Sequence, residues 1–181
     1  MKHQVFFSFH YGEDIWRIAQ VRNMGIVEGQ QFFSDNGWEK VRLNDDEAIK
    51  AWIDREMKMR SCVVVLIGNK TSTRKWVQYE IERAWSLGKG IVGIYIHNLE
   101  DSRGEQTNKG KNPFSYFCID KTFNFIAKRD APIDDNEIPL DEVCIAYEPQ
   151  WYTSKYVYED IQENISRLID EAIMIRNRYP K

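Results

Sequence analysis

The sequence is poor in the residues that hold metal ions or build disulfide frameworks. It contains three cysteines and three histidines among 181 residues. Cys62, Cys118 and Cys144 are far apart, odd in number and form no CxxC pair, which argues against a disulfide framework and against a zinc site. Two of these cysteines stand in apolar runs, as small buried side chains do. We therefore expect no metal site.

Long apolar runs and an excess of positive charge are also missing. No apolar stretch approaches the roughly 20 residues of a membrane span, and the N-terminal "MKHQVFFSFH" becomes polar too soon for a signal peptide. The net charge is −3, with lysines and arginines scattered among the acids. No basic surface for nucleic acid is indicated. We expect a cytoplasmic protein that binds neither membranes nor nucleic acid.

The composition that remains is ordinary for a globular chain, with 43% hydrophobic and 29% charged residues. A chain of 181 residues is long enough for one domain with a substantial core. We predict a single domain over residues 1–181, in which a core of about residues 1–150 is covered by a C-terminal helix at about 154–176.

Short apolar runs alternate with amphipathic helices along the chain. The predicted strands are Val5–Phe9, Gln31–Phe33, Cys62–Ile67, Ile91–Ile96 and Val143–Tyr147. The continuous apolar run of the third strand is typical of a parallel sheet covered on both faces. This alternation predicts an α/β fold of flavodoxin-like type, with a five-stranded, mainly parallel sheet in the order 2-1-3-4-5 and helices on both faces.

Polar residues mark the expected helix starts. The first helix is predicted to follow a "HYGED" turn and to end near Gly25. Asn44 and Glu47 have the spacing of a capping box for the second helix. Ser72 or Thr73 is the expected cap of the third. Between the third and fourth helices of the fold, two polar stretches predict surface loops with a small extra hairpin.

Two nucleotide-related patterns are excluded by their context. Gly88–Gly93 matches G-x-G-x-x-G, but a helix precedes it and a strand follows, which is the reverse of the dinucleotide fingerprint. A phospho-receiver needs an aspartate at the end of the third strand, and this strand is followed by Asn69. Neither function is therefore predicted.

The segment "RKWVQYEI" contains the candidate catalytic residue. Trp76 and Glu80 are four residues apart, so they lie on one face of the predicted helix. They flank its buried stripe, which consists of Val77, Ile81, Ala84 and Trp85. His10 follows the first strand, at the carboxyl edge where doubly wound sheets bind ligands. Glu80 is either a carboxylate in this crevice or a solvated residue on the shoulder of a buried helix.

Several segments resemble those of Toll/interleukin receptor (TIR) domains. "VFFSFHYGED" resembles their first signature, an apolar strand followed by an exposed serine and aromatic turn and an acid. "RKWVQYEI" resembles their helix signature Trp-Cys-x-x-Glu-Leu, with Val77 in place of the cysteine. Together with "VLIG", "IVGIYI" and "GKNPF", these runs make residues 1–120 similar to the bacterial TIR-like proteins of the Thoeris anti-phage system.

The resemblance implies an activity and a site. In enzymatic TIR domains the matching glutamate, here Glu80, cleaves the bond between nicotinamide and ribose in NAD, which is a substrate and not a cofactor. Phe9, Trp76 and Trp38 can stack on its rings, and His10 completes the expected substrate-binding set. The resemblance further implies a cyclic ADP-ribose isomer as product, a separate effector that this signal activates, a phage-derived trigger, and self-assembly into a homo-oligomer on activation.

Two other functions remain compatible with the sequence. Many TIR domains act without catalysis, as assembly modules in signalling. Nucleoside deoxyribosyltransferases have a related fold, also use a glutamate, and also break an N-glycosidic bond. The substrate distinguishes a nucleoside deoxyribosyltransferase from a TIR enzyme that cleaves NAD.

Overall fold

The structure is a computed structural model that describes residues 2–29, 45–127 and 131–180. Its elements, in chain order, are β1 (Val5–Ser8), α1 (Tyr11–Arg22), α2 (Asp46–Lys58), β2 (Cys62–Ile67), α3 (Lys75–Ser86), β3 (Gly90–Tyr95), β4 (Phe117–Asp120), β5 (Phe125–Ala127), β6 (Glu137–Pro139), α4 (Leu140–Val143), β7 (Ala146–Tyr147) and α5 (Ser154–Asn177), with 3₁₀ turns at Thr71–Thr73 and Pro113–Tyr116. The alternation of strands and helices confirms an α/β fold.

Four strands form a parallel sheet in the order β1-β2-β3-β7. They are the first, third, fourth and fifth strands of the prediction, and they are neighbours in the expected order. The predicted second strand, Gln31–Phe33, lies outside the described residues. Just before that segment, Glu28 pairs in parallel with Gln4 beside β1.

The sheet is covered by helices on both faces, as predicted. Successive residues of a strand point to opposite faces, so Phe7 and Val64 pack in the cluster that contains the buried side of α1 and α5. Phe6 and Val63 pack in the cluster that contains the buried side of α2 and α3. Full burial of each such side chain contributes about 1.5–3 kcal/mol, which explains why β2 is apolar along its whole length.

Three predictions of local structure were wrong. Helix α1 begins at Tyr11, inside the predicted turn. The cap of α2 is Asp45, whose carboxylate accepts a hydrogen bond from the backbone N–H of Ala48 at 2.9 Å, and not Asn44. Helix α3 follows Arg74 without a side-chain cap, because Ser72 and its neighbours form a 3₁₀ turn.

The last strand and the segment before it also differ from the prediction. Leu140–Val143 is a short helix, and only Ala146–Tyr147 pairs with β3. Upstream, β5-β4-β6 form a separate antiparallel sheet, where the sequence indicated a small hairpin. The indole N–H of Trp85 donates to the carbonyl of Phe123 at 2.8 Å, which attaches this small sheet to α3.

The C-terminal helix agrees with the prediction. It spans Ser154–Asn177, and its apolar side packs in the same cluster as β3. No helix in the described part of the chain has the length and apolar character that a bilayer span requires.

Candidate active site

A pocket of about 450 Å³ lies where the chain leaves the carboxyl ends of β1 and β2. Its lining comes from the segment after β1, from the start of α3 and from α2, and consists of Phe9, His10, Tyr11, Gly12, Ile49, Arg74, Lys75, Trp76, Val77 and Glu80. The structure thus brings Phe9, His10, Trp76 and Glu80 together, although the first two are more than sixty residues away from the others. Trp38, the remaining predicted site residue, lies outside the described residues.

Glu80 is buried in this pocket and is not a solvated residue on a helix shoulder. Only 7% of its surface is exposed, and it stands one turn after Trp76 on α3. Burial raises the pKa of Glu80 to about 8, and a hydrogen bond from Ser8 opposes this rise only in part. Because a buried carboxylate loses its hydration, the protonated form is favoured when no ligand is bound.

Ser8 is a partner of Glu80 that the sequence analysis missed. It is the last residue of β1 and is fully buried, whereas the sequence motif indicated an exposed serine. Its hydroxyl donates a hydrogen bond to Oε2 of Glu80, across 72 residues of sequence. In the sequence, only the position of this serine near the end of a strand, ahead of His10, could have indicated that it lies at the site. The contact fixes the carboxyl group at the bottom of the pocket.

His10 presents a neutral imidazole to the pocket. Burial and the positive charges of Arg74 and Lys70 lower the pKa of His10, more than the nearby Glu13 raises it. Its Nδ1 is buried and has no hydrogen-bond partner among the residues that the structure describes. The ring fits because residue 12 is glycine, at which a Cβ would approach the His10 Cε1 to 3.2 Å. His10 is therefore a neutral polar side chain in the lining of the pocket.

Two lysines beside the pocket have acidic partners. Lys70 pairs with Glu13. Lys75 pairs with Asp46 of α2, and its ammonium also lies 4.8 Å from the ring centre of Trp76.

Arg74 differs from these lysines. It forms no ion pair within residues 2–29, 45–127 and 131–180, and its buried Nε has no hydrogen-bond partner there. The sequence analysis did not select it, although it directly precedes the "KW" of the helix motif.

The pocket therefore combines two kinds of surface. A carboxyl group lies at the bottom, and aromatic side chains of Phe9 and Trp76 form walls. Trp76 is held by an edge-to-face contact with Tyr79, with ring centres 5.9 Å apart. A planar ring can stack on such walls, and a positive charge that develops near Glu80 would be stabilised by its ionised form. No cluster of three or more His, Cys, Asp or Glu placed to hold a metal ion occurs in the described part of the chain.

The parallel sheet, with Trp76 and Glu80 one helical turn apart in a pocket at its carboxyl edge, has the arrangement that the resemblance to TIR domains implies. The model of the family described as "Thoeris protein ThsB, TIR-like domain" matches residues 6–101, more than half of the chain. The chain belongs to this family.

A curated relative supports the same family. The chain is 38% identical over 121 residues to a Bacillus cereus (strain MSX-D12) protein named "Putative cyclic ADP-D-ribose synthase ThsB1". The match covers 64% of this chain and 63% of the relative, so it spans less than two thirds of that protein's length.

Proposed function

We propose that this protein cleaves NAD and converts it to nicotinamide and a cyclic ADP-ribose isomer, as a signal-producing enzyme of Thoeris anti-phage defence. The observation that carries the proposal is the buried carboxyl group of Glu80 in a pocket with aromatic walls. The name of the Bacillus cereus relative supports a cyclic product.

Cleavage breaks the bond between C1′ of the ribose and N1 of nicotinamide. The bonding electron pair leaves with nicotinamide, which departs as a neutral ring and needs no general acid. The ribose becomes an oxocarbenium-like cation, and the ionised carboxylate of Glu80 stabilises that charge, as carboxylates do in glycoside cleavage. The cationic nicotinamide ring of bound NAD favours this ionised form, because an opposite charge lowers the pKa of a buried acid.

The remaining pocket residues bind and orient the substrate. Phe9 and Trp76 stack on its planar rings, and His10, which also lines the pocket, contacts the ribose. If water is excluded, an adenosine atom of the same molecule attacks C1′, and the net reaction yields nicotinamide, cyclic ADP-ribose and one proton. If water attacks C1′ instead, the product is linear ADP-ribose.

The cyclic nucleotide is proposed to act on a separate effector protein, and activation to require a phage-derived trigger. Because an enzyme that drained NAD without infection would harm its host, we propose that the isolated protein is nearly inactive and that self-assembly completes the site. This part of the proposal rests on the resemblance to Thoeris TIR proteins.

The test is incubation of wild type and the Glu80→Gln variant with NAD, followed by mass spectrometry of the products. Assays are run in lysate of infected cells and at concentrations that permit self-assembly. Glutamine preserves size but not charge, so nicotinamide release should fall by about 10²–10³-fold. Glu142→Gln, which changes an exposed glutamate, is the matched control and should retain activity.

Two outcomes would contradict the proposal. Equal NAD turnover by a folded Glu80→Gln variant would exclude Glu80 as the catalytic group. Absence of nicotinamide release by wild type in every condition would favour a non-catalytic assembly module.

A further inference from the structure

We infer that Arg74 binds the substrate phosphate nearest the cleaved ribose and so selects nicotinamide nucleotides over the riboside. This inference rests on the proposed cleavage of NAD and assigns a substrate-selecting residue to the same pocket. The basic side chains around the pocket differ in whether a carboxylate pairs with them.

Arg74 is the basic side chain at this pocket that forms no direct ion pair within the described part of the chain. Glu13 nevertheless lies near it, because the pKa of Glu13 is lowered first by its hydrogen bond with Lys70 and further by the charge of Arg74. Lys70 and Lys75 pair with Glu13 and Asp46. Arg74 has no carboxylate partner there, and its Nε is buried without an acceptor. A buried donor without an acceptor is unfavourable, so an anion bound beside this guanidinium would be stabilised.

The identity of that anion follows from the shape of the group. An arginine guanidinium is a planar fork that matches the oxygens of a phosphate in a bidentate geometry. Glu80 in the same pocket favours a positively charged group at the bottom, because an opposite charge stabilises its ionised form. A ligand that suits both groups must carry its positive charge near Glu80 and its negative charge near Arg74.

The spacing of the two groups agrees with a nicotinamide dinucleotide. Arg74 is the N-cap residue of α3 and Glu80 lies six residues further on in this helix, so their backbones are separated by about 9 Å along the helix axis. Arg74 is partly exposed, whereas Glu80 is buried, so the acid lies deep and the guanidinium lies towards the mouth. In NAD, the cleaved C1′ is separated from the nearest phosphate by the ribose ring and its C5′. The order cation, sugar, diphosphate therefore runs from the bottom of the pocket to its mouth.

The experiment compares substrates that share the cleaved bond but differ in phosphate. Nicotinamide release is measured from NAD, from nicotinamide mononucleotide and from nicotinamide riboside, with wild type and the Arg74→Gln variant under activating conditions. Loss of a charge-assisted hydrogen bond should lower kcat/KM for NAD and for nicotinamide mononucleotide by about 10- to 100-fold. The riboside, which has no phosphate, should be cleaved by both proteins within about twofold of each other.

Two further variants separate the guanidinium fork from net charge. Arg74→Lys keeps the charge but not the bidentate geometry, and we expect an intermediate loss with NAD. Arg103→Gln makes the same change in net charge at an exposed arginine that pairs with Asp101 and Glu105, and should leave both substrates unaffected. Equal losses with NAD and the riboside in Arg74→Gln, or no loss with either, would overturn the inference.

A binding measurement keeps the inference distinct from the proposed enzyme activity. Calorimetric titration with ADP-ribose and with adenosine requires no turnover, and Arg74→Gln should weaken only the binding of ADP-ribose. If wild type releases no nicotinamide but binds ADP-ribose through Arg74, the proposed function fails and the anion site stands. If NAD is cleaved and Arg74→Gln binds ADP-ribose as wild type does, the proposed function stands and this inference fails.

Discussion

Replacing Glu80 by glutamine should make the protein more stable at alkaline pH, although it removes the proposed catalytic group. The reason is the burial of the carboxyl group, which has 7% of its surface exposed. In the folded chain its pKa is raised from 4.5 to about 8. Between these two pH values the unfolded chain ionises at this residue while the folded chain stays protonated, so unfolding releases a proton.

The sign and the size of the effect follow from this linkage. The contribution of Glu80 to stability is fully present below pH 4.5 and is lost as the pH rises towards 8. Each pH unit in this window costs about 1.4 kcal/mol. The interval from 4.5 to about 8 therefore corresponds to about 5 kcal/mol of the free energy of unfolding.

Glutamine does not titrate, so the variant does not lose this free energy of unfolding as the pH rises. It can still accept the hydrogen bond from Ser8, but its amide N–H₂ would be buried near that contact without an assigned partner, at a cost of about 1–3 kcal/mol. Glu80→Gln should thus be about 1–3 kcal/mol less stable than wild type at pH 4 and about 2–4 kcal/mol more stable at pH 9. The two stability curves should cross between about pH 5 and 7.

The assay is urea unfolding of both proteins at pH values from 4 to 9, followed by circular dichroism. Other titrating groups are common to both proteins, so the difference in unfolding free energy isolates Glu80. Glu142→Gln, at an exposed position, should parallel the wild type over the whole range. A difference between Glu80→Gln and wild type that is constant with pH would refute the argument that burial keeps Glu80 protonated.

The remaining predictions concern the same carboxyl group and the packing around the pocket. In wild type, kcat/KM for NAD should rise about tenfold per pH unit below about pH 8, because the ionised form of Glu80 reacts; a flat profile from pH 5.5 to 9.5 would contradict this. Ser8→Ala removes a hydrogen bond that lowers the pKa of Glu80, so this rise should move to higher pH, and an unchanged profile would show that the contact does not tune the acid. Gly68→Ala places a Cβ 1.9 Å from Oδ2 of buried Asp14 and should cost about 1–3 kcal/mol in urea unfolding. Gly25→Ala has open space but a φ of +71°, so it should cost only about 1–2 kcal/mol, and a larger loss than that of Gly68→Ala would contradict the packing account.

Much of the fold could be predicted from the sequence, because the patterns that indicate strands and helices involve residues close together in the chain. Apolar periodicity and helix length depend on which side chains face the core, and these follow from the repeat of 2 or 3.6 residues. The uniformly apolar β2 and the helix at Ser154–Asn177 were recognised in this way. The predictions of helix ends were less accurate, because a cap depends on which of several adjacent polar side chains reaches a free backbone N–H. The choice of Asp45 over Asn44 is an example.

In the candidate site, too, local features were predictable from the sequence and contacts between distant residues were not. The sequence by itself determined that Trp76 and Glu80 share a helix face, because four residues make about one turn. Only the tertiary structure decided that this face is buried and that Ser8, on β1, donates a hydrogen bond to the carboxyl group of Glu80. It also decided that Lys75 pairs with Asp46, whereas Arg74 has no ion pair in the described part of the chain. Such contacts join residues distant in the chain, and the pKa of Glu80 depends on the exclusion of water by all of them. A periodic pattern carries no record of these distances, so they become visible only when the sheet and its helices are packed.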